Sequence, residues 1–327
     1  MLSAVSDARA RDRDEPPERW RLGLALWCGL ALVLFATAPA PPIPPALQVH
    51  EERALQQELA RATAAARRWQ ASYGDQQIPW DEARGHLAIV IDDVGRELHW
   101  FEQLLALRHP LTFSVLPGSV YAPGAQLRLS ADPRRPREIW LHLPTEPLDP
   151  VHMRAPGEAD EEFLRVADSP DVLRDKLNRA LDRVPLAVGV NNHMGSRLTA
   201  ERAAMDALMP ELRARGLMFL DSLTIGRSQA YAAARDAGVP ATTRAVFLDH
   251  VPERAEIEAR LEEAATRARE RPTVVIGHPS QALVDVLTER LDELAERGIG
   301  VYPLGEVIAH VNDPSGRSTN LTDAASR

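Results

Sequence analysis

The sequence is nearly free of cysteine and lysine. Because Cys28 is its one cysteine, the chain can form neither an intramolecular disulfide framework nor a zinc site built from Cys-X-X-Cys pairs. Its one lysine, Lys176, leaves arginine to supply almost all of the positive charge, and the formal net charge is −9. Because polyphosphate binding requires a basic face, we do not expect a nucleic-acid partner.

Long uncharged runs are also rare, and residues 22–40 form an apolar one that is long enough to be considered as a membrane span. About 20 apolar residues suffice to span a bilayer. Arginines are frequent in residues 1–21, so the positive-inside rule keeps that segment in the cytoplasm. We therefore predict a transmembrane anchor at 22–40, with the remainder on the periplasmic side of the inner membrane. The alternative is a cleaved signal peptide, because Ala36-Thr37-Ala38 resembles a cleavage site.

The residues that flank the main body of the chain are polar or rich in proline. Residues 41–80 begin with a proline-rich run, which predicts a stiff spacer, and continue into a polar, alanine-rich stretch typical of a helical stalk. Residues 312–327 are polar, and we predict a disordered tail there. The candidate folded domain is the interval 86–311.

Within 86–311, short apolar runs alternate with longer amphipathic stretches of helical period. The apolar runs are 87–91, 112–116, 138–143, 187–191, 217–221, 245–249, 273–277 and 300–304. The clearest helical patterns are 173–184, 201–216, 256–271 and 283–298. This alternation favours parallel strands, and we predict an α/β fold, a distorted (β/α) barrel of seven or eight parallel strands. A doubly wound open sheet is the second choice.

Polar side chains stand at the ends of these predicted strands. They are Asp92, Asp93, His142, Asn191, Asn192, His193, Asp221, Asp249 and His278. The carboxyl ends of parallel barrel strands converge on one face, where sites are built. A helix cap explains any one such aspartate, but caps do not explain a series that includes three histidines. The series therefore predicts a carboxylate and histidine site on that face.

The residue types suggest individual roles. Successive strand residues point to opposite sides, so Asp92 and Asp93 are expected to divide the roles of base and metal ligand between them. His142 and His193 are natural metal ligands near strand ends. The carboxylate of Glu146 lies four positions after His142. Asp221 and His278 are better site candidates than Asp249, and Arg244 can pair with a carboxylate in the site or on the surface.

The ordered motifs of this region resemble those of the divergent polysaccharide deacetylases, relatives of the NodB-homology carbohydrate esterases. The motifs are IDDVG (91–95), LHLPTEP (141–147), GVNNHMGS (189–196), FLDS (219–222), VFLD (246–249) and IGHP (276–279). The resemblance covers roughly residues 86–311. It implies a distorted barrel, an extracytoplasmic location and a divalent metal, with Zn²⁺ the expected ion.

The resemblance also implies roles for particular residues. Asp92 matches the general base, Asp93 a metal ligand and His278 the general acid, while Asp221 falls near the position of the acid that tunes this histidine. His142 matches a second ligand, but Glu146 stands where the family has another histidine. Either Glu146 or His193 can complete the metal set. Asn191 and Asn192 are predicted to bind substrate.

Two functions follow from these patterns. The first is a metal-dependent deacetylase of an N-acetylated envelope polysaccharide. The second is a catalytically altered barrel that binds glycan or takes part in envelope assembly, which the change at Glu146 favours. A hydrolase of another ester or amide is a weaker third possibility.

Overall fold

The computed structural model of the protein describes residues 74–154 and 161–312, together with the short stretches 56–61 and 64. Residues 56–61 are helical and exposed. The predicted anchor at 22–40, the proline-rich start of the spacer and residues 313–327 of the predicted tail lie outside the described residues. In the part of the chain that is described, no helix is long and apolar enough to cross a membrane.

The strands of residues 74–154 and 161–312 form a single sheet in which every pairing is parallel. They are β1 (Gly85–Val94), β2 (Thr112–Val115), β3 (Ile139–Thr145), β4 (Gly189–Met194), β5 (Met218–Asp221), β6 (Ala241–Thr243), β7 (Val246–Phe247), β8 (Thr273–Gly277) and β9 (Ile299–Val301). Their order across the sheet is β6-β5-β4-β3-β2-β1-β8-β7, and β9 pairs with the beginning of β1.

Helices connect most of these strands. They are α1 (His99–Ala106), α2 (Ala122–Ser130), α3 (Pro170–Arg183), α4 (Arg202–Ala214), α5 (Ala230–Asp236), α6 (Arg254–Ala268), α7 (Gln281–Glu296) and α8 (Leu304–Asn312). Ser169 and Ser280 cap α3 and α7 through their side-chain oxygens. Gly216 and Gly298 follow α4 and α7 with left-handed φ angles of 67° and 82°, as expected for helix C-termini.

Two consecutive residues, Arg244 and Ala245, connect strands from opposite sides of the sheet. The amide of Arg244 donates to Asp221 O at 3.0 Å, and the amide of Ala245 donates to Val274 O at 2.8 Å. The sheet is therefore curled into an incompletely closed barrel, because two consecutive residues bond to β5 and to β8. The predicted α/β arrangement of parallel strands is confirmed, while the predicted barrel of seven or eight strands is corrected to a curled, incompletely closed sheet of nine. An open doubly wound sheet would reverse its strand order at an internal switch point, and this sheet does not.

Alternation along the strands separates an inner and an outer face. Leu87, Ile89 and Ile91 of β1 pack in the core shared with the surrounding helices. Ala88 and Val90 pack inside the curl, in a smaller cluster that also contains residues of β3, β5, β8 and α8. Asp92 is the next residue of this inner series toward the carboxyl end of β1. Strand alternation therefore directs its carboxylate toward the open end of the barrel.

Candidate metal centre and active site

Asp93, His142 and His193 form a compact triangle at the carboxyl ends of β1, β3 and β4. Oδ1 of Asp93 lies 3.2 Å from Nε2 of His142 and 3.1 Å from Nδ1 of His193, and the two ring nitrogens are 3.2 Å apart. Both histidines are buried. Oδ1 of Asp93 is itself buried, and no described residue donates a well-aligned hydrogen bond to it. Three potential ligand atoms therefore converge on one point.

The dimensions of this triangle fit a divalent cation. Oxygen and nitrogen ligands about 2.0–2.1 Å from a tetrahedral ion lie about 3.3 Å from one another, and octahedral ligands at about 2.1 Å lie about 3.0 Å apart. The observed separations of 3.1–3.2 Å fall between these values. A cation would also bind the buried Oδ1 of Asp93, which accepts no well-aligned hydrogen bond from the described residues. The donor set and its spacing therefore fit a divalent metal ion.

The charge state of Asp93 suits a ligand. Burial alone would raise the pKa of this carboxyl, but the His142 and His193 imidazoles beside it hold the pKa well below its usual range. Arg96 adds a further positive charge, because its Nη1 lies 3.0 Å from Oδ2 of Asp93. Asp93 is therefore ionised, as a metal ligand must be.

A local irregularity of β1 brings both aspartates to the same site. The register between β1 and β2 shifts between Ile91 and Val94, and Asp93 has a left-handed φ of 57°. As a result Asp93 contacts Nε2 of His142, while Oδ1 of Asp92 lies 3.7 Å from Nδ1 of the same ring. The expectation that strand alternation separates the two carboxylates is corrected here, because the bulge cancels it.

The buried side chain of Asn191 links Asp92 to His142. Its side-chain Nδ2 donates to Oδ1 of Asp92 at 2.9 Å and to Ser222 Oγ at 3.3 Å. Its Oδ1 accepts from Ser114 Oγ and lies 3.0 Å from Nδ1 of His142. Since an amide oxygen only accepts, Nδ1 of His142 donates to it, and Nε2 is the nitrogen of this ring that faces Asp93.

This placement corrects the predicted role of both asparagines. Asn191 is completely buried, so it holds site residues in place and does not face a substrate. Asn192 points to the other side of β4, where it accepts from Ser222 N at 2.9 Å and donates to Met194 O at 2.7 Å. Neither side chain is available for substrate binding, because each is committed to the protein itself.

His278 and Asp249 form a second pair at the ends of β8 and β7. Oδ1 of Asp249 lies 3.2 Å from Nδ1 of His278, and Oδ2 accepts from the His278 amide at 2.8 Å. Burial opposes the charged imidazole, but the bond to Asp249 and the negative charges of Asp93 and Asp92 outweigh it and raise the pKa of His278 to about 9. The imidazole is therefore protonated at neutral pH.

Asp249, and not Asp221, is the carboxylate beside His278. Asp221 instead accepts from Leu223 N at 2.9 Å and from Ser228 Oγ at 2.7 Å, so it orders the loop that follows β5. The physical reason is strand pairing: β7 is the neighbour of β8, with Phe247 opposite Ile276. This corrects the prediction that Asp221 tunes the histidine.

Glu146 does not join the metal triangle. Its Oε1 lies 3.0 Å from Nη1 of Arg197, and its Oε2 accepts from Val166 N at 2.7 Å. Its carboxylate thus fastens two loops to the end of β3. Of the two ways to complete the metal set, the geometry favours His193, and we leave Glu146 out of the proposed ligands.

Three contributors to the site were not identified from the sequence. Ser114 and Ser222 hold Asn191, and Nη2 of Arg96 lies 3.3 Å from Nε2 of His193. Ser114 and Ser222 lie within or next to apolar runs that read simply as strands. Arg96 directly follows the IDDVG motif, and that position was the available signal.

Comparison with known proteins identifies the family to which the chain is similar. Residues 89–308 match the model of the divergent polysaccharide deacetylase family. The uncharacterised protein YibQ of Escherichia coli K12 is 37% identical over 211 residues, 64% of this chain and 63% of that protein. The chain thus spans less than two thirds of that relative's length. An uncharacterised protein of Haemophilus influenzae is 35% identical over 215 residues, 65% of this chain and 74% of its own.

A solved structure shares the fold. The crystal structure of an uncharacterised protein from Agrobacterium tumefaciens aligns with a TM-score of 0.58 and 24% identity, over 70% of this chain and 91% of that one. Since the family model covers about two thirds of the chain, the protein belongs to the divergent polysaccharide deacetylase family.

Proposed function

We propose that this protein is a metal-dependent deacetylase that hydrolyses the acetamide groups of an N-acetylated envelope polysaccharide. One observation carries the proposal: Asp93, His142 and His193 converge with ligand-atom separations of 3.1–3.2 Å around a buried carboxylate oxygen that has no well-aligned donor among the described residues. Three protein ligands and an open position are the arrangement that hydrolytic zinc sites require.

A divalent cation held by these three residues would polarise the acetamide carbonyl and activate a water molecule. The protein's own groups would then move the protons. Asp92 would accept a proton from the attacking water. Complete burial raises the pKa of Asp92, although His142 and His278 partly oppose that rise. A carboxylate with a raised pKa is a better general base near neutral pH.

His278 would complete the reaction by giving its proton to the nitrogen of the leaving amine. Its pKa of about 9 keeps it protonated at neutral pH, which a general acid needs. Asp249 would hold the ring in position through Nδ1, so that Nε2 is the nitrogen that faces the substrate. Breaking the C–N bond thus yields acetate and a free amine.

The proposed substrate lies outside the cytoplasm. The arginines of residues 1–21 and the apolar run 22–40 support an inner-membrane anchor with the barrel on the periplasmic side. An N-acetylated polymer of the cell envelope would be within reach of a domain held there. The family of the chain supports an acetylated carbohydrate as the substrate class.

The first test is the metal content of the purified protein by mass spectrometry. We expect about one divalent ion per chain in the wild type and its loss in His142→Ala and His193→Ala, because each variant removes one of three ligands. His109→Ala is the matched control, since His109 is a buried histidine that pairs with Asp292 and precedes β2. Glu146→Gln should keep its metal.

Activity is the second part of the test. Acetate release from N-acetylated oligosaccharides should fall by roughly 10²–10⁴-fold in Asp92→Asn, which retains the metal but removes the base. A protein without metal that still binds these oligosaccharides would overturn the enzyme proposal. That result would favour the alternative, a catalytically altered barrel with a glycan-binding or envelope-assembly role.

A further inference from the structure

A cavity of about 370 Å³ lies between the segment 244–251 and α6. This volume is within the range of sites for small molecules and sugar units. The side chains that line it include Arg244, Phe247, His250, Glu256, Arg260 and Glu263. None of them belongs to the metal triangle.

Phe247 connects this cavity to the proposed active site. The centroid of its ring lies 5.5 Å from that of His278 and 5.7 Å from that of His250. The Phe247 ring therefore lies between the cavity and His278, the proposed general acid, and borders both. A polymer with one unit at the metal triangle could place a neighbouring unit in the cavity.

Arg244 is held in the cavity wall by backbone carbonyl groups. Its Nε donates to Ser222 O at 2.7 Å and its Nη2 to Leu223 O at 2.9 Å. The guanidinium carbon lies 5.3 Å from the centroid of the Phe247 ring. Leu223 has a left-handed φ of 47°, which a branched residue adopts only at an energetic cost. The guanidinium is thus fixed by both backbone and ring contacts.

The charge of Arg244 lacks a direct counter-ion within the described ranges. The ion pairs of residues 74–154 and 161–312 do not include it, whereas the other arginine of the cavity, Arg260, lies 2.8 Å from Glu263 and 3.9 Å from Glu256. Burial lowers the pKa of Arg244, while the more distant Asp92 and Asp221 oppose that change. A partly desolvated guanidinium with free Nη1 hydrogens favours an anionic ligand.

We propose that this cavity is a subsite for a glycan unit that carries an anionic substituent, a carboxylate or a phosphate. Arg244 binds the anionic group, and Phe247 packs against the sugar ring. The inference rests on the proposed function, since it places this unit next to the one whose acetamide is hydrolysed. It narrows the substrate class from N-acetylated glycans in general to acidic ones.

The test compares three N-acetylated oligosaccharides of equal length by isothermal titration calorimetry: a neutral one, one with carboxylates on alternate rings, and one with phosphates at those positions. The full chain is used as purified and again after dialysis against EDTA, where turnover cannot consume the ligand. We expect an acidic oligosaccharide to bind roughly tenfold more tightly than the neutral one. The preferred anion identifies the substituent.

Arg244→Gln should weaken binding of the acidic oligosaccharide far more than binding of the neutral one, so that the preference is lost, and Arg244→Lys should retain part of it. Arg254→Gln is the control, because Arg254 is an exposed arginine at the start of α6 that pairs with Glu258 and Glu289. Thermal melts check that each variant is folded. If Arg244→Gln does not fold, Arg244→Lys and the salt dependence of the preference decide the matter.

An equal affinity of the wild type for all three oligosaccharides, or binding of none, would overturn the proposal. A preference that survives in folded Arg244→Gln would do the same. The outcome is separable from that of the proposed function: a protein without metal or deacetylase activity can still show the Arg244-dependent preference, and an active deacetylase can lack it.

Discussion

At the residue scale, two histidines of the site are held by different neighbours. Oδ1 of Asn191 requires Nδ1 of His142 to be the donor, which leaves Nε2 of that ring free to ligate. Asp249 instead keeps His278 charged, with a pKa of about 9. The two rings are thus held for different proposed roles, metal binding by His142 and proton donation by His278.

Replacing Asn191 should weaken both the fold and the metal site. Asn191→Ala removes the bonds to Asp92, His142 and Ser114 in a fully buried position, and we expect a loss of about 1–3 kcal/mol in the free energy of unfolding. Metal affinity should fall by roughly 10–100-fold, because the His142 ring loses its orienting partner. Urea denaturation and a competitive chelator measure the two effects.

The control is Asn178→Ala, which removes only an exposed bond to Arg215. It should change stability by less than about 0.5 kcal/mol. Unchanged metal affinity in a folded Asn191→Ala variant would contradict the orienting role.

Replacing Asp249 should lower the pKa of His278. In Asp249→Asn the imidazolium loses its nearest carboxylate, so the pKa should drop from about 9 toward the ordinary 6.5. The direct measurement is an NMR titration of His278. In kcat/KM the descending alkaline limb, where the general acid loses its proton, should move to lower pH. Asp285→Asn is the control, since Asp285 lies on α7 and accepts a hydrogen bond from the Gln281 side chain on the same helix.

The same shift affects stability. A histidine whose pKa is raised in the folded state stabilises the fold fully below its unfolded pKa of about 6.5. That contribution is lost as the pH rises through about 9. The free energy of unfolding should therefore decline over this interval more steeply in the wild type than in Asp249→Asn, and equal slopes would argue against the Asp249 pairing.

At the scale of elements, a buried ion pair fastens the segment before β1 to the barrel. Nη1 and Nη2 of Arg137 lie 2.8 and 2.7 Å from the two carboxylate oxygens of Asp75. Both side chains are nearly inaccessible, at 1% and 6% exposure. Nearby, Tyr302 Oη donates to Ile78 O at 2.9 Å. Residues at the end of the predicted spacer therefore pack on the domain that follows it.

Removing Asp75 should destabilise the domain substantially. Asp75→Ala leaves the Arg137 guanidinium buried with Asp132 as its remaining carboxylate, and we expect a loss of about 3 kcal/mol in the free energy of unfolding. Asp171→Ala is the comparison, because the Asp171 side chain is 84% exposed and its pair with Arg174 should contribute less than about 1 kcal/mol. Similar denaturation midpoints for the two variants would contradict the fastening role.

At the scale of the whole molecule, the described buried core and the proposed site lie within residues 74–312. The chain divides into two units, residues 1–66 and residues 67–327. We predict that a fragment of residues 67–312 folds and binds metal as the full chain does, because the described buried core and the metal triangle lie within it. Calorimetry and metal analysis of the fragment and the full chain provide the test. A fragment that fails to fold would show that residues 1–66 or 313–327 are needed.

Much of the fold could be predicted from local patterns. Each of the eight predicted apolar runs overlaps a strand, because a buried parallel strand has to be continuously apolar. The remaining strand, β6, was not predicted, because it consists of only three residues, Ala241–Thr243, and two of them are threonines. The anchor at 22–40 and the periplasmic location remain predictions.

The sequence by itself determined that carboxylates and histidines stand at the ends of buried strands, and hence on one face of a barrel. Asp93, His142 and His193 could be named from it for that reason. Only the tertiary structure decided which groups meet. Strand pairing put Asp249 beside His278, the β1 bulge turned Asp92 and Asp93 toward one ring, and side-chain alternation on β4 directed Asn192 away. These outcomes depend on register and on neighbouring strands, which are long-range properties that no local pattern specifies.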